Sequence, residues 1–143
     1  MKKITTILLA LILVLSIPTT AFAAEVVIPS VPNPDLIAPR ATLAISFNYI
    51  AAGTYKQSTE RYTLQPGESI LHVTSCTWSP GSQKIFVGFK NIDTGTIYGV
   101  YFSGGETDPV DITTANLPDG EYYVAVKNAG STNVTGVLRY WVE

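Results

Sequence analysis

The chain has 143 residues, with nine Lys+Arg against eleven Asp+Glu, one His, one Cys and 46% hydrophobic residues. A single cysteine excludes an intramolecular disulfide, and one His with one Cys cannot by themselves fill a closed zinc shell. The acidic balance and scattered basic residues argue against nucleic acid or an anionic membrane surface as partner, since both call for a basic patch.

The first segment reads as a secretory signal peptide. Lys2 and Lys3 form a positive start, Ile7 to Ile17 is apolar except for Ser16, and Ala21-Phe22-Ala23 offers small residues before a cut after Ala23 or Ala24. That apolar run is too short for a permanent bilayer span. The expectation is a signal peptide over residues 1–24 and a mature chain that is secreted, extracellular and, from the style of its leader, bacterial. Losing Lys2 and Lys3 leaves seven basic residues against eleven acidic ones, a net charge of −4. No lipid-attachment cysteine stands at the cut, and no membrane insertion is expected once the leader is gone.

Residues 25–40 carry Pro29, Pro32, Pro34 and Pro39 and predict an extended Pro-rich arm lying along the domain. From Ala41 the apolar pattern has period two. Leu43, Ile45, Phe47 and Tyr49 alternate with polar or small residues over Thr42–Ile50, a half-buried strand. Ala51 to Thr59 reads as a polar loop. Tyr62 and Leu64 precede a Pro66-Gly67 turn, and Ser69–Trp78 is β-branched and aromatic. Lys84–Lys90 places Ile85, Val87 and Phe89 on one face, and Asp93-Thr94-Gly95 connects it to the aromatic strand Thr96–Phe102. Ser103 to Pro109 is a Gly-rich acidic loop before a short strand Val110–Ile112. Leu117-Pro118-Asp119-Gly120 turns the chain into Glu121–Lys127, and Asn128 to Ser131 into Thr132–Val142. About eight strands with regular turn signals and no helical period predict an all-β fold, a single antiparallel β-sandwich or jelly roll over residues 41–143. The expected core is Ile45, Phe47, Leu64, Val87, Phe89, Val124, Val126, Leu138 and Tyr140.

The run Leu117-Pro118-Asp119-Gly120-Glu121-Tyr122-Tyr123-Val124-Ala125-Val126, with a last strand ending Leu138-Arg139-Tyr140-Trp141-Val142, resembles the end of bacterial pre-peptidase C-terminal domains. Upstream, Tyr62-Thr63-Leu64-Gln65-Pro66-Gly67-Glu68-Ser69 resembles their entry, where a turn precedes a strand of alternating apolar residues. The resemblance covers about 80 residues and implies a small secreted jelly-roll-like module of the kind that rides beside peptidases or glycoside-active enzymes. Here no catalytic neighbour accompanies it.

Secretion makes hydrolysis the first chemistry to test. His72 and Cys76 lie four residues apart, which on a regular strand means one face but about 13 Å of separation at roughly 3.3 Å per residue. A nucleophile and base need about 3 Å, so the two do not form a dyad, and no G-x-S-x-G elbow is present. Alternation that buries Cys76 places Ile70, His72, Thr74, Cys76 and Trp78 on the inner face, where a buried His72 needs a hydrogen-bond partner. Glu106, Asp108 and Asp111, in or beside the Gly104-Gly105 loop, are the candidate calcium ligands; no other cofactor is indicated.

Adjacent aromatic pairs such as Tyr122/Tyr123 and Tyr140/Trp141 point to opposite sides of a strand, so one member of each leaves the core. Tyr98, Tyr123 and Trp141 are therefore the candidate ligand-binding residues. The expected function is a non-catalytic binding module whose partner is a cell-wall polysaccharide or an envelope protein. The rival is a small secreted hydrolase or toxin-like effector using two of the carboxylates Asp93, Glu106, Asp108 and Asp111 at the spacing glycoside hydrolysis requires.

Overall fold

A period-two strand has one apolar face and no way to bury it alone, so sheets form in pairs. The computed structural model describes residues 23–36 and 41–143; the predicted signal peptide up to Phe22 and residues 37–40 of the arm lie outside the described residues. The described residues form twelve strands and no helix, and hence no helix long and apolar enough to cross a membrane. They are β1 (Glu25–Val27), β2 (Ser30–Pro32), β3 (Leu43–Ile50), β4 (Tyr55–Gln57), β5 (Tyr62–Leu64) and β6 (Ile70–Ser79), followed by β7 (Ile85–Asn91), β8 (Ile97–Phe102), β9 (Glu106–Thr107), β10 (Val110–Thr113), β11 (Gly120–Asn128) and β12 (Val134–Val142).

The first sheet runs β1-β8-β7-β11-β4, with β5 also on β11; the second runs β2-β10-β6-β12-β3, with β9 also on β6. Their inner faces pack into one core, a β-sandwich as the alternation predicts. Every expected core residue is buried, Val87, Phe89, Val124, Val126 and Leu138 completely.

The eight predicted strands correspond to β3, β5, β6, β7, β8, β10, β11 and β12. The four others are three residues long or shorter. Two of them belong to the Pro-rich arm, which lies along the domain by adding a strand to each sheet: β1 parallel to β8 and β2 antiparallel to β10. Between them Ile28 is buried in the core, its N–H donating to the Gly99 carbonyl while the Pro29 carbonyl accepts from Thr113. The arm is thereby a staple across both sheets.

Two bulges depart from strict alternation. In β6, Ser75 pairs with Arg139 and Val73 with Tyr140, so Thr74 is an extra residue, and its hydroxyl donates to the Arg139 carbonyl. The inner face becomes Leu71, Val73, Cys76 and Trp78, all buried. The expectation that Ile70, His72 and Thr74 share the inner face with Cys76 is therefore corrected, because the inserted residue turns the strand over between Val73 and Cys76. In β3, Ile50 pairs with Val134 and Phe47 with Gly136, leaving Asn48 and Tyr49 opposite Thr135 alone. Tyr49 adopts φ 54°, and Thr135 Oγ1 accepts its N–H while donating to Asn48 Oδ1. Tyr49, expected inside, is 72% exposed and Ile50 takes its place in the core.

The reset register has a direct consequence. Leu71→Ala removes a fully buried side chain and is expected to cost about 2–5 kcal/mol of unfolding free energy. Ile70→Ala, on the half-buried outer side, is expected to cost about 1 kcal/mol or less. Urea unfolding of the two variants checks this; an Ile70 variant weaker than the Leu71 variant contradicts the bulge.

Candidate functional site

The turnover of β6 at Thr74 sends His72 to the outer face of the second sheet. There the register lines up Val31 of β2, Asp111 of β10, His72 of β6 and Trp141 of β12 as one cross-strand row. His72 is nevertheless only 5% exposed. The Trp141 ring stacks on its imidazole with centroids 3.7 Å apart and planes 19° from parallel.

Both imidazole nitrogens meet carboxylates. Nδ1 lies 2.6 Å from Asp111 Oδ1 and Nε2 lies 3.2 Å from Glu143 Oε2. The second Asp111 oxygen accepts from the Asn33 side-chain amide at 2.8 Å, so residues just past β2 complete the cluster. The requirement that a buried imidazole be hydrogen-bonded is met, although on the face opposite to the one alternation indicates. The Trp141 indole N–H is buried and has no acceptor among the described residues.

His72 and Cys76 fall on opposite faces of β6, which removes any dyad outright. Cys76 is completely buried, and desolvation pushes its thiol up to about 12. The thiolate that nucleophilic chemistry needs is thereby suppressed.

The three predicted ligand-binding aromatics do not form one platform. Tyr98 packs against the core and meets Tyr122 edge-on at 6.2 Å. The parity of β8 turns Tyr98, Val100 and Phe102 inward, so the exposed aromatic of that strand is Tyr101. Tyr123 does leave the core, on the outer face of the first sheet, where its hydroxyl accepts from Arg61 Nε at 3.1 Å and its ring lies under the guanidinium. Trp141 leaves the core on the outer face of the second sheet.

The candidate calcium ligands are likewise separated in role. Glu106 pairs in β9 opposite Thr77, Asp108 is exposed, and the Asp111 carboxylate is taken up by His72 and Asn33. Among the described residues no group of three or more His, Cys, Asp or Glu side chains is placed to hold a metal ion.

A second polar cluster lies on the outer face of the first sheet. Lys127, 6% exposed, pairs with Glu25 and donates to the Ala23 carbonyl at 2.8 Å. The Tyr101 hydroxyl donates to the same Glu25 carboxylate. Glu25 belongs to the arm and Ala23 stands at the predicted cleavage site, so in the mature chain it is the Glu25 carboxylate through which the cluster anchors β1.

The sequence isolates His72 and Asp111 as residues without bringing them together, because their 39-residue separation closes only through the β6–β10 ladder. Asp111→Ala leaves His72 Nδ1 buried without its partner and is expected to cost about 2 kcal/mol. Glu143→Ala, at an exposed carboxylate, is expected to cost under about 1 kcal/mol. Chemical denaturation of both variants compares them; equal costs contradict the asymmetry of the clamp.

Cys76 gives a pH prediction. Its folded pKa is raised from 9.0 to about 12, so the unfolded chain releases this proton first and native stability falls as pH rises through that window. Burial raises the Tyr62, Tyr122 and Tyr140 hydroxyls in the same sense. Cys76→Ala is expected to make the alkaline decline shallower, and a thiol reagent is expected to label the native protein only as fast as it opens. Rapid labelling at pH 8 contradicts the burial. No family model, no curated protein and no solved structure matches this chain.

Proposed function

We propose that the chain is a secreted, non-catalytic β-sandwich module that binds an extracellular or cell-envelope partner, with polysaccharide as the leading ligand class. The observation that carries this reading is the outer-face row Val31–Asp111–His72–Trp141, flanked by Asn33 and Glu143. It combines a flat aromatic surface with carboxylate and amide groups, the mixture that stacks on sugar rings and hydrogen-bonds their hydroxyls. The polar members already hold one another in position, so little ordering cost falls on binding.

A hydrolytic role is the less supported reading. It would rest on a pair of carboxylates, yet Asp111 is engaged by His72 and Asn33, Asp93 stands exposed in the turn between β7 and β8, and Glu106 and Asp108 are exposed in or next to β9. The thiol that could act as nucleophile is buried in the core. An accessory role, as the resemblance to pre-peptidase C-terminal domains implies, fits a domain that contributes binding and leaves catalysis to another protein.

The test is sedimentation of the purified mature protein with peptidoglycan, insoluble polysaccharides and whole cells. Saturable binding is expected, weakened about tenfold by Trp141→Ala and unchanged by Tyr123→Ala on the opposite face. Binding lost equally in both variants, or absent from every matrix, overturns the proposal. Circular dichroism of the variants separates a lost surface from a lost fold.

A further inference from the structure

An ionised carboxylate only accepts hydrogen bonds, whereas a neutral imidazole has one N–H donor and one nitrogen lone pair. His72 sets both ring nitrogens against carboxylates, Nδ1 at 2.6 Å from Asp111 Oδ1 and Nε2 at 3.2 Å from Glu143 Oε2. A neutral ring between two ionised carboxylates satisfies one contact and turns a lone pair on an oxygen in the other. Both contacts hold together only with one more proton in the group. An imidazole is a stronger base than a carboxylate, so that proton goes to the ring. The arrangement in the structure is the protonated, closed one.

The two carboxylates are held very differently. Asp111 is 18% exposed, and its second oxygen accepts from the Asn33 amide. The Glu143 side chain is 69% exposed and has no other hydrogen bond among the described residues. Its backbone is fixed, the N–H donating to the Ile70 carbonyl and the carbonyl accepting from the Ile70 N–H. Loss of the proton leaves Nδ1–H on Asp111 and points the Nε2 lone pair at Glu143, whose side chain is the part free to move. Among the described residues no other charged group meets the ring. From β12 it faces the neutral Trp141 ring, and Arg139, exposed two residues earlier on that face, pairs with neither carboxylate. No metal-holding group forms around Asp111 among the described residues.

We propose that His72, Asp111 and Glu143 form a proton-operated clasp on the outer face of the second sheet, closed by protonation and opened by release of the Glu143 side chain while Asp111 stays in place. In the closed form neither ring nitrogen is available to a ligand. In the open form Nε2 is a free acceptor beside Trp141, with the Glu143 carboxylate released next to it, and both suit the hydroxyl donors of a sugar. Imidazoles ordinarily change charge near about pH 6.5, so acidification of the surroundings is the signal that closes such a clasp. Its effect on binding rests on the function proposed above; the clasp itself does not.

Nitrogen NMR of the isotope-labelled mature protein, which has a single histidine, reads the clasp directly between about pH 4.5 and about pH 8.5. An imidazolium is expected at the acid end and the Nδ1–H tautomer at the alkaline end, with the Glu143 carboxyl carbon resonance moving in step with the ring. A ring that keeps one charge state throughout, an Nε2–H tautomer at the alkaline end, or a Glu143 resonance indifferent to the ring overturns the proposal. Glu143→Gln turns either its carbonyl or its amide N–H to Nε2, and is expected to keep its contact in both ring states. In sedimentation with peptidoglycan and insoluble polysaccharides, wild-type affinity is expected to rise roughly fivefold from about pH 5 to about pH 8 and that of Glu143→Gln to stay flat. Binding with the same pH profile in both proteins overturns control of the face by the clasp. Absence of binding at every pH overturns the proposed function instead, and the NMR transition then decides the clasp by itself. Circular dichroism across the range shows that the fold persists.

Discussion

The pairing of β6 with β12, and the extra residue Thr74 within it, is the constraint on which the second sheet depends. A regular β6 has two possible inner faces. One would bury Leu71 and Val73 together with Ser75 and Thr77; the other would bury His72 and Thr74 together with Cys76 and Trp78. Each is half polar. The bulge joins the apolar halves, so that Leu71, Val73, Cys76 and Trp78 all enter the core. Burying two further apolar side chains in place of two polar ones outweighs the cost of one interrupted ladder position, especially where the Thr74 hydroxyl gives the Arg139 carbonyl a donor.

The same turnover creates the outer-face cluster. His72 is directed away from the core at the position where Asp111 and Trp141 stand beside it on the neighbouring strands. Burial of its ring therefore comes from the stacked Trp141 and the flanking carboxylates rather than from the sandwich interior. Packing of the core and composition of the candidate binding face are two results of one backbone irregularity.

The arm solves a different problem. The outer face of the first sheet carries Phe86, Ile97 and Ala125, which are fully buried and contact Ala23 and Ala129. Tyr101 covers Phe86 at 4.6 Å, and its hydroxyl bonds Glu25, which in turn holds Lys127. A few residues of arm thus neutralise a nearly buried ammonium and cap one margin of each sheet. On the other side of the second sheet β3 has no such cap among the described residues, and it adjoins β12, the strand that bears Trp141.

Period two is a local property, and it sufficed for the all-β class, the eight predicted strands and the core from Ile45 to Tyr140. It also sufficed to send Tyr123 and Trp141 outward while Tyr122 and Tyr140 go in, since neighbours on a strand must face opposite ways. It could not assign Tyr98, because which parity of β8 faces inward depends on the sheet it joins. The short strands β1, β2, β4 and β9 exist only because a longer neighbour offers them a ladder, and nothing in three residues announces that. Tyr49 and His72 were misplaced for a related reason: a bulge is chosen by what the partner strand and the core will accept, not by the residues that form it. The candidate site is non-local throughout, drawing Asn33, His72, Asp111, Trp141 and Glu143 from segments that meet only when β2, β10, β6 and β12 are hydrogen-bonded side by side. Sequence alone determined what each strand could bury; tertiary pairing decided which side chains were left together outside.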